Sequence, residues 1–226
     1  MVAVGSVCGR WRAGLAGGAL LAGADFSRGL VVHGSGWVPP SWWGSWSVAS
    51  LPVAGSVVAF LYLSWGFYPF VLLFSRARLL TFVAIAMVIV MAGLMAMLMP
   101  VEPPWRTGAV LRAVSVVPVF GAIASADVSP VAAFPSVHVA VPVVVAFLEG
   151  IRAKGRAWAW YALVTAVVVV LAGEHWMLDC LAGVLLALLV VLLVSICGGL
   201  TVWARSVIAV CRRESVGTAW GCGSDG

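Results

Sequence analysis

"LLTFVAIAMVIVMAGLMAMLMPV", Leu79 to Val101, is a run of 23 residues without a charge, bounded by Arg78 and Glu102. A helix rises about 1.5 Å per residue and the hydrocarbon core of a bilayer is about 30 Å thick, so about 20 apolar residues cross it. The run is long enough for one crossing, and it decides the fold class: all-α and integral to a membrane. The chain as a whole agrees, being 63% hydrophobic and 9% charged, where soluble domains average about 45–50% and about 25%. A second long run, Trp176 to Ala204, carries a single charge, Asp179.

Working outward from these two runs, the sequence predicts helices near 51–74, 79–101, 136–150, 157–173 and 177–199. The third and fourth sit at or below the short end of the spanning range. A further apolar segment, "AGLAGGALLAGADFSRGLVV" (13–32), is interrupted by Asp25 and Arg28. It reads as a sixth span, an interfacial helix or part of an export signal. The expectation is a bundle of about six transmembrane helices. Its regions are an N-terminal part (1–48), a catalytic membrane domain (49–204) and a basic cytoplasmic tail without fixed structure (205–226).

The linkers set the orientation. "SRAR" (75–78), "RAKGR" (152–156) and the tail after Ala204 hold eight of the 13 Lys and Arg residues, all on one alternating side. By the positive-inside rule that side is the cytoplasm. "SWWGSWS" (41–47), an aromatic cluster suited to the interface, and the connection from Pro100 to Pro135 then face outward. The segment 107–125 reads as a partly inserted surface segment, because another crossing would put the two histidines considered next on opposite sides. The formal charge of +5 therefore belongs to topology and excludes a nucleic-acid partner. The five cysteines are scattered and show neither zinc spacing nor a disulfide framework.

On this topology "FPSVHVA" (134–140) and "GEHWMLD" (173–179) emerge at the same depth on the outer side, which brings His138 and His175 together across 37 residues of sequence. His175 and Asp179 are four apart, one helical turn on one face. The carboxylate can accept a hydrogen bond from one ring nitrogen and fix the tautomer, leaving the other nitrogen as nucleophile or base. An Asp inside a membrane helix costs roughly 2.5–3.5 kcal/mol on insertion scales, so it marks function by default. Pro135 suits the first turn of a helix, and Ser136 adds a hydroxyl beside unpaired N–H groups that attract phosphate. Either histidine alone reads as a satisfied interior polar residue. Together they offer what in-line attack on phosphorus needs, one ring to attack and one to protonate the departing oxygen.

"PSVH" with "HWMLD" resembles the later motifs of the type 2 phosphatidic acid phosphatase (PAP2) superfamily, Pro-Ser-x-His and His-x-x-x-Asp. "AAFPSVHVA", "EHWMLDCLAG" and the upstream "MPVEPPWR" together look most like its inositol-phosphotransferase, aureobasidin-target branch, over roughly 50–200. The resemblance implies that His175 is the nucleophile that forms a phosphohistidine, Asp179 orients it, His138 is the general acid and Ser136 contacts phosphate. It implies neither metal nor other cofactor. The substrate would be a phospholipid or polyprenyl phosphate in the surrounding membrane lipid. The enzyme would sit in the plasma membrane with its site on the extracytoplasmic side.

The chain also departs from the phosphatase branch. That branch has a Lys and Arg motif ahead of Pro-Ser-Gly-His and an Arg six residues before the last His; here Val137 replaces the Gly and Val169 stands in the Arg position. The outward cations left to meet phosphate are Arg106 and Arg112, of which Arg106, directly after "EPPW", is preferred. Glu174, next to the nucleophile, would repel phosphate and is expected to point away. Three functions stay open: a phosphatase resolved by water, a phosphotransferase resolved by an alcohol, and a non-enzymatic membrane protein whose His pair binds a metal or only packs. A stable zinc site takes three or four ligands, and this face offers three at most.

Overall fold

The computed structural model describes residues 15–21, 36–64, 78–117, 133–150 and 153–218. The described chain is helical: α1 (Pro52–Ser64), α2 (Arg78–Leu98), α3 (Val137–Glu149), α4 (Ala153–Leu171) and α5 (Met177–Thr218), with 3₁₀ turns at Ser41–Trp43 and Ala113–Val116. Residues 15–21 are also helical. The described residues form no strand, only isolated bridges of Trp37 with Val101 and Ser47 with Ala172. The contacts divide the chain into Met1–Val191 and Leu192–Gly226, and the site and its supports lie in the first unit.

Among the described residues three helices are long and apolar enough to cross a membrane, over Leu79–Leu98, Lys154–Leu171 and Met177–Cys197. The expected count was about six. One difference arises at α3, whose 13 residues make about 20 Å of helix against a core of about 30 Å, while α1 is described over 13 residues only. The rest of the predicted 51–74 helix, most of 13–32 and the later part of 107–125 lie outside the described residues. Predicted boundaries shift for local reasons. α2 stops at Leu98, ahead of Pro100, and α3 ends at Gly150, which has φ 72°. α5 continues past the predicted end at 199 to Thr218, through the region read as a structureless tail. Nothing in that region up to Thr218 is a helix-breaking proline.

α3 is the inner helix of the site-bearing unit. Val137, Val139, Ala140, Val141, Pro142, Val144 and Val145 are all buried, and the helix packs along α4 and α2. Between lipid-embedded helices, burying a methyl group gains little by transfer, so association depends on close packing of small side chains. α3 supplies them as Val and Ala. The large apolar residues Val90, Leu94 and Leu98 of α2, Trp160 and Leu163 of α4 and Leu181 and Leu185 of α5 are exposed instead, as suits surfaces that face hydrocarbon tails. Pro142 offers no N–H, so the α-helical bond that would end on the His138 carbonyl is not made. The first turn of α3 is thereby less tightly tied to the rest of the helix.

The ends of these helices converge through backbone bonds rather than side chains. The Ser136 N–H donates to the Asp179 carbonyl at 3.0 Å, tying the start of α3 to the first turn of α5. The two can approach this closely because residue 183 is glycine: a Cβ there would collide with the Ser136 carbonyl. The chain before α1 closes the same end. Its contacts run from Met177 N–H to the Gly44 carbonyl (3.0 Å), from Val48 N–H to the Leu171 carbonyl (3.1 Å), and from Trp37 N–H to the Pro100 carbonyl (2.6 Å).

Candidate active site

α4 ends in a tight turn that delivers one histidine. The N–H groups of Glu174 and His175 both donate to the Val169 carbonyl, at 3.1 and 3.2 Å. Gly173 takes φ 77°, a conformation that disfavours any side chain, and an added Cβ would lie 2.9 Å from the Leu111 carbonyl. His175 therefore sits in the turn before α5 and not on a helix face, as its four-residue spacing to Asp179 had suggested. The pair still meets. Asp179, in the first turn of α5, folds back so that Oδ2 accepts the Trp176 N–H at 2.8 Å and stands 3.5 Å from His175 Nδ1. An acid at the third helical position reaching back to the residue before the helix is one half of a capping box. One carboxylate thus starts the helix and faces the imidazole.

His138, in the first turn of α3, supplies the second ring. Its Nδ1 lies 3.0 Å from His175 Nε2, and the ring centroids are 5.1 Å apart. Two ring nitrogens at this distance share one proton, one donating and the other accepting. With Nδ1 turned to Asp179, the nitrogen that His175 presents to His138 is Nε2. Both His175 and Asp179 are buried, whereas His138 is half-buried. The His138 ring also meets Tyr62 of α1, ring centroids 5.2 Å apart.

Ser136 precedes α3 as its N-cap, yet its side chain makes no capping hydrogen bond. It is fully buried, and its Oγ has no hydrogen-bond partner among the described residues. Asp179 Oδ1 is in the same position. A buried polar atom without a partner is costly, and here the two lie where the N-termini of α3 and α5 meet. Helix N-termini carry partial positive charge and attract anions.

The four residues His138, His175, Asp179 and Ser136 are therefore brought together. The two arginines are placed differently. Arg106 Nε is 3.9 Å from Glu102 Oε1, with a third of its side chain exposed. Arg112 forms a two-pronged ion pair with Glu174, Nε–Oε1 2.6 Å and Nη2–Oε2 3.2 Å, and its guanidinium lies 4.5 Å from the centre of the Trp105 ring. Glu174 is buried in this pair. Sequence reading did not single out Tyr62, Gly183 or Trp176, whose indole donates to the Glu102 carbonyl at 2.8 Å. Of these only Gly183, in the "LAGV" stretch, carried a sequence signal, as a small residue on a membrane helix.

Comparison with known proteins adds one match. A family model described as the PAP2 superfamily matches residues 39–193. No curated protein and no solved structure matches the chain.

Proposed function

The chain belongs to the PAP2 superfamily, and from that premise we propose that it is an integral membrane enzyme that moves the phosphoryl group of a lipid-linked phosphate ester through a phosphohistidine. The observation that carries this reading is the line Asp179 Oδ2, His175 Nδ1, His175 Nε2, His138 Nδ1, with gaps of 3.5 and 3.0 Å on either side of one imidazole.

The steps follow from that line. The His175 Nε2 lone pair attacks phosphorus while its Nδ1–H faces Asp179, which offsets the positive charge that builds on the ring. The P–O bond to the lipid breaks, and the leaving alkoxide takes a proton from His138. In the second half the proton of an incoming hydroxyl passes to His138, the new O–P bond forms and the N–P bond breaks, which restores both rings. Ser136 Oγ and the N–H groups opening α3 bind the phosphoryl oxygens. Attack and departure lie on opposite sides of phosphorus, so the two rings, in contact here, must part to admit it. The half-released first turn of α3, above Pro142, is suited to that movement.

The incoming hydroxyl is water in a phosphatase and an alcohol in a phosphotransferase. The motif resemblance supports the second, inositol-phosphotransferase-like form, and the positive linkers support a site on the extracytoplasmic face of the plasma membrane. The test is to incubate the purified chain in detergent with phosphatidate, a polyprenyl diphosphate and phosphatidylinositol, with and without alcohol acceptors. Released inorganic phosphate would mark hydrolysis and a new phosphodiester would mark transfer. Absence of both across the whole panel would overturn the reading.

A further inference from the structure

Glu174 places a carboxylate next to the nucleophile, in a site meant for an anion. Its environment gives that charge a use. The turn that holds it is clamped to the segment 105–113 by Trp105 N–H to the Gly173 carbonyl (3.2 Å) and Ala113 N–H to the Ala172 carbonyl (2.9 Å). Ser47 Oγ fixes the same segment through the Leu111 carbonyl, at 2.6 Å. Arg112 is thereby delivered to Glu174, with only 10% and 6% of the two side chains exposed. The other described arginine of this end, Arg106, stands against Glu102. Each of these two arginines thus stands against its own glutamate, and the third carboxylate, Asp179, stands beside His175.

Such a set has no surplus positive charge until a histidine takes a proton. The converging helix N-termini contribute only partial charges, about half a unit each. A phosphomonoester brings about −1.5 to −2 charges near neutral pH, whereas a phosphodiester brings one. Among the described residues the group placed to balance the second negative charge of the monoester is Arg112, and its fork is already on Glu174.

We propose that Glu174 is a specificity-determining residue: by holding and neutralising Arg112 beside the nucleophilic turn, it makes the site select singly charged phosphodiesters over doubly charged phosphomonoesters. The inference rests on the phosphoryl-transfer reading above and deepens it by naming the substrate class. It also gives Arg112 and Glu174, which act through charge and not through bond making, a joint role separate from that of the histidines.

The test uses the full chain in detergent and two probes with the same alkyl tail, an alkylphosphonate and its monomethyl ester, at a pH above the second ionisation of the first. Equilibrium binding compares dianion with monoanion without relying on turnover. The wild-type chain should bind the monomethyl ester more tightly. Glu174→Gln should move the ratio of the two dissociation constants toward the dianion by about tenfold, the scale of one removed unit charge in a partly buried site. Glu174→Asp should keep the wild-type ratio, and Arg112→Gln should move it the opposite way, further against the dianion. A wild-type preference for the dianion would overturn the proposal. So would a ratio that ignores both Glu174→Gln and Arg112→Gln while affinity for both probes falls equally, since that describes a structural ion pair. If neither probe binds the wild-type chain, the phosphoryl-transfer reading itself falls. If the charge preference is found but His175→Asn retains full turnover, the nucleophile assignment fails and the proposal stands.

Discussion

α2 and α3 are both almost wholly apolar, yet they do opposite things. α2 has 21 residues and turns Val90, Leu94 and Leu98 outward. α3 has 13, buries Val and Ala on most of its surface, and carries the site in its first turn. Apolarity cannot distinguish them, since lipid tails are as apolar as leucine. Side-chain size and the ends of the helix do. A helix of small residues lets its neighbours close in, and the backbone groups at its start then become the fixed points of a polar site. α2 needs only length.

The largest expected effect lies at the junction of α3 and α5. His175→Asn should lower turnover by at least about 10⁴-fold and remove the acid-labile phosphoenzyme, with thermal stability nearly unchanged. A phosphoenzyme that persists would place the nucleophile elsewhere. His138→Gln comes next. General-acid work contributes roughly 10²- to 10⁴-fold, so turnover of an alkyl phosphate ester should fall within that range, while an aryl ester with a good leaving group loses far less. Equal losses on both would remove the acid role from His138.

A smaller effect tests whether small residues do set the approach. Gly183→Val drives a side chain into the Ser136 carbonyl, and overpacking of this kind costs about 1–3 kcal/mol. Thermal melting in detergent should fall, and the His138 to His175 geometry, read as activity, should fall with it. Unchanged activity would show that α3 and α5 do not need this contact. The smallest effect belongs to α2. Leu94→Ala, at an outward position that is 55% exposed, should change stability by less than about 0.5 kcal/mol and leave turnover alone. A large loss there would mean that the outward face of α2 meets something other than lipid, and the contrast with α3 would collapse.

The membrane class and the meeting of the two histidines were legible because they rest on local signals: uncharged run lengths, and two histidine motifs that each stand at the start of an apolar run. The position of His175 in a turn was misread because spacing alone cannot tell a helix face from a capped helix start. The glycine at 173 was the available clue. The Arg112–Glu174 pair spans 62 residues, and no periodicity links its members. Tyr62 was likewise silent, and Gly183 signalled only a small residue on a membrane helix, since what matters about both is which neighbour they meet across the bundle. The preference for Arg106 over Arg112 came from proximity to "EPPW", and the ion pairs found here follow three-dimensional placement instead.

The contacts of Gly44 with Met177 and of Val48 with Leu171 join early and late parts of the chain. During synthesis, the segment around the tryptophans emerges long before the turn that bears His175, and it closes in steps, onto Pro100 through Trp37, onto Leu171 at the end of α4 through Val48, and onto Met177 at the start of α5 through Gly44. Asp179, which opens α5, also faces His175. α5 thus contributes Asp179 to the proposed site, so a nascent chain halted before it is predicted to be inserted but inert. On the proposed function, the order of translation itself would then shield membrane lipids from a half-built enzyme.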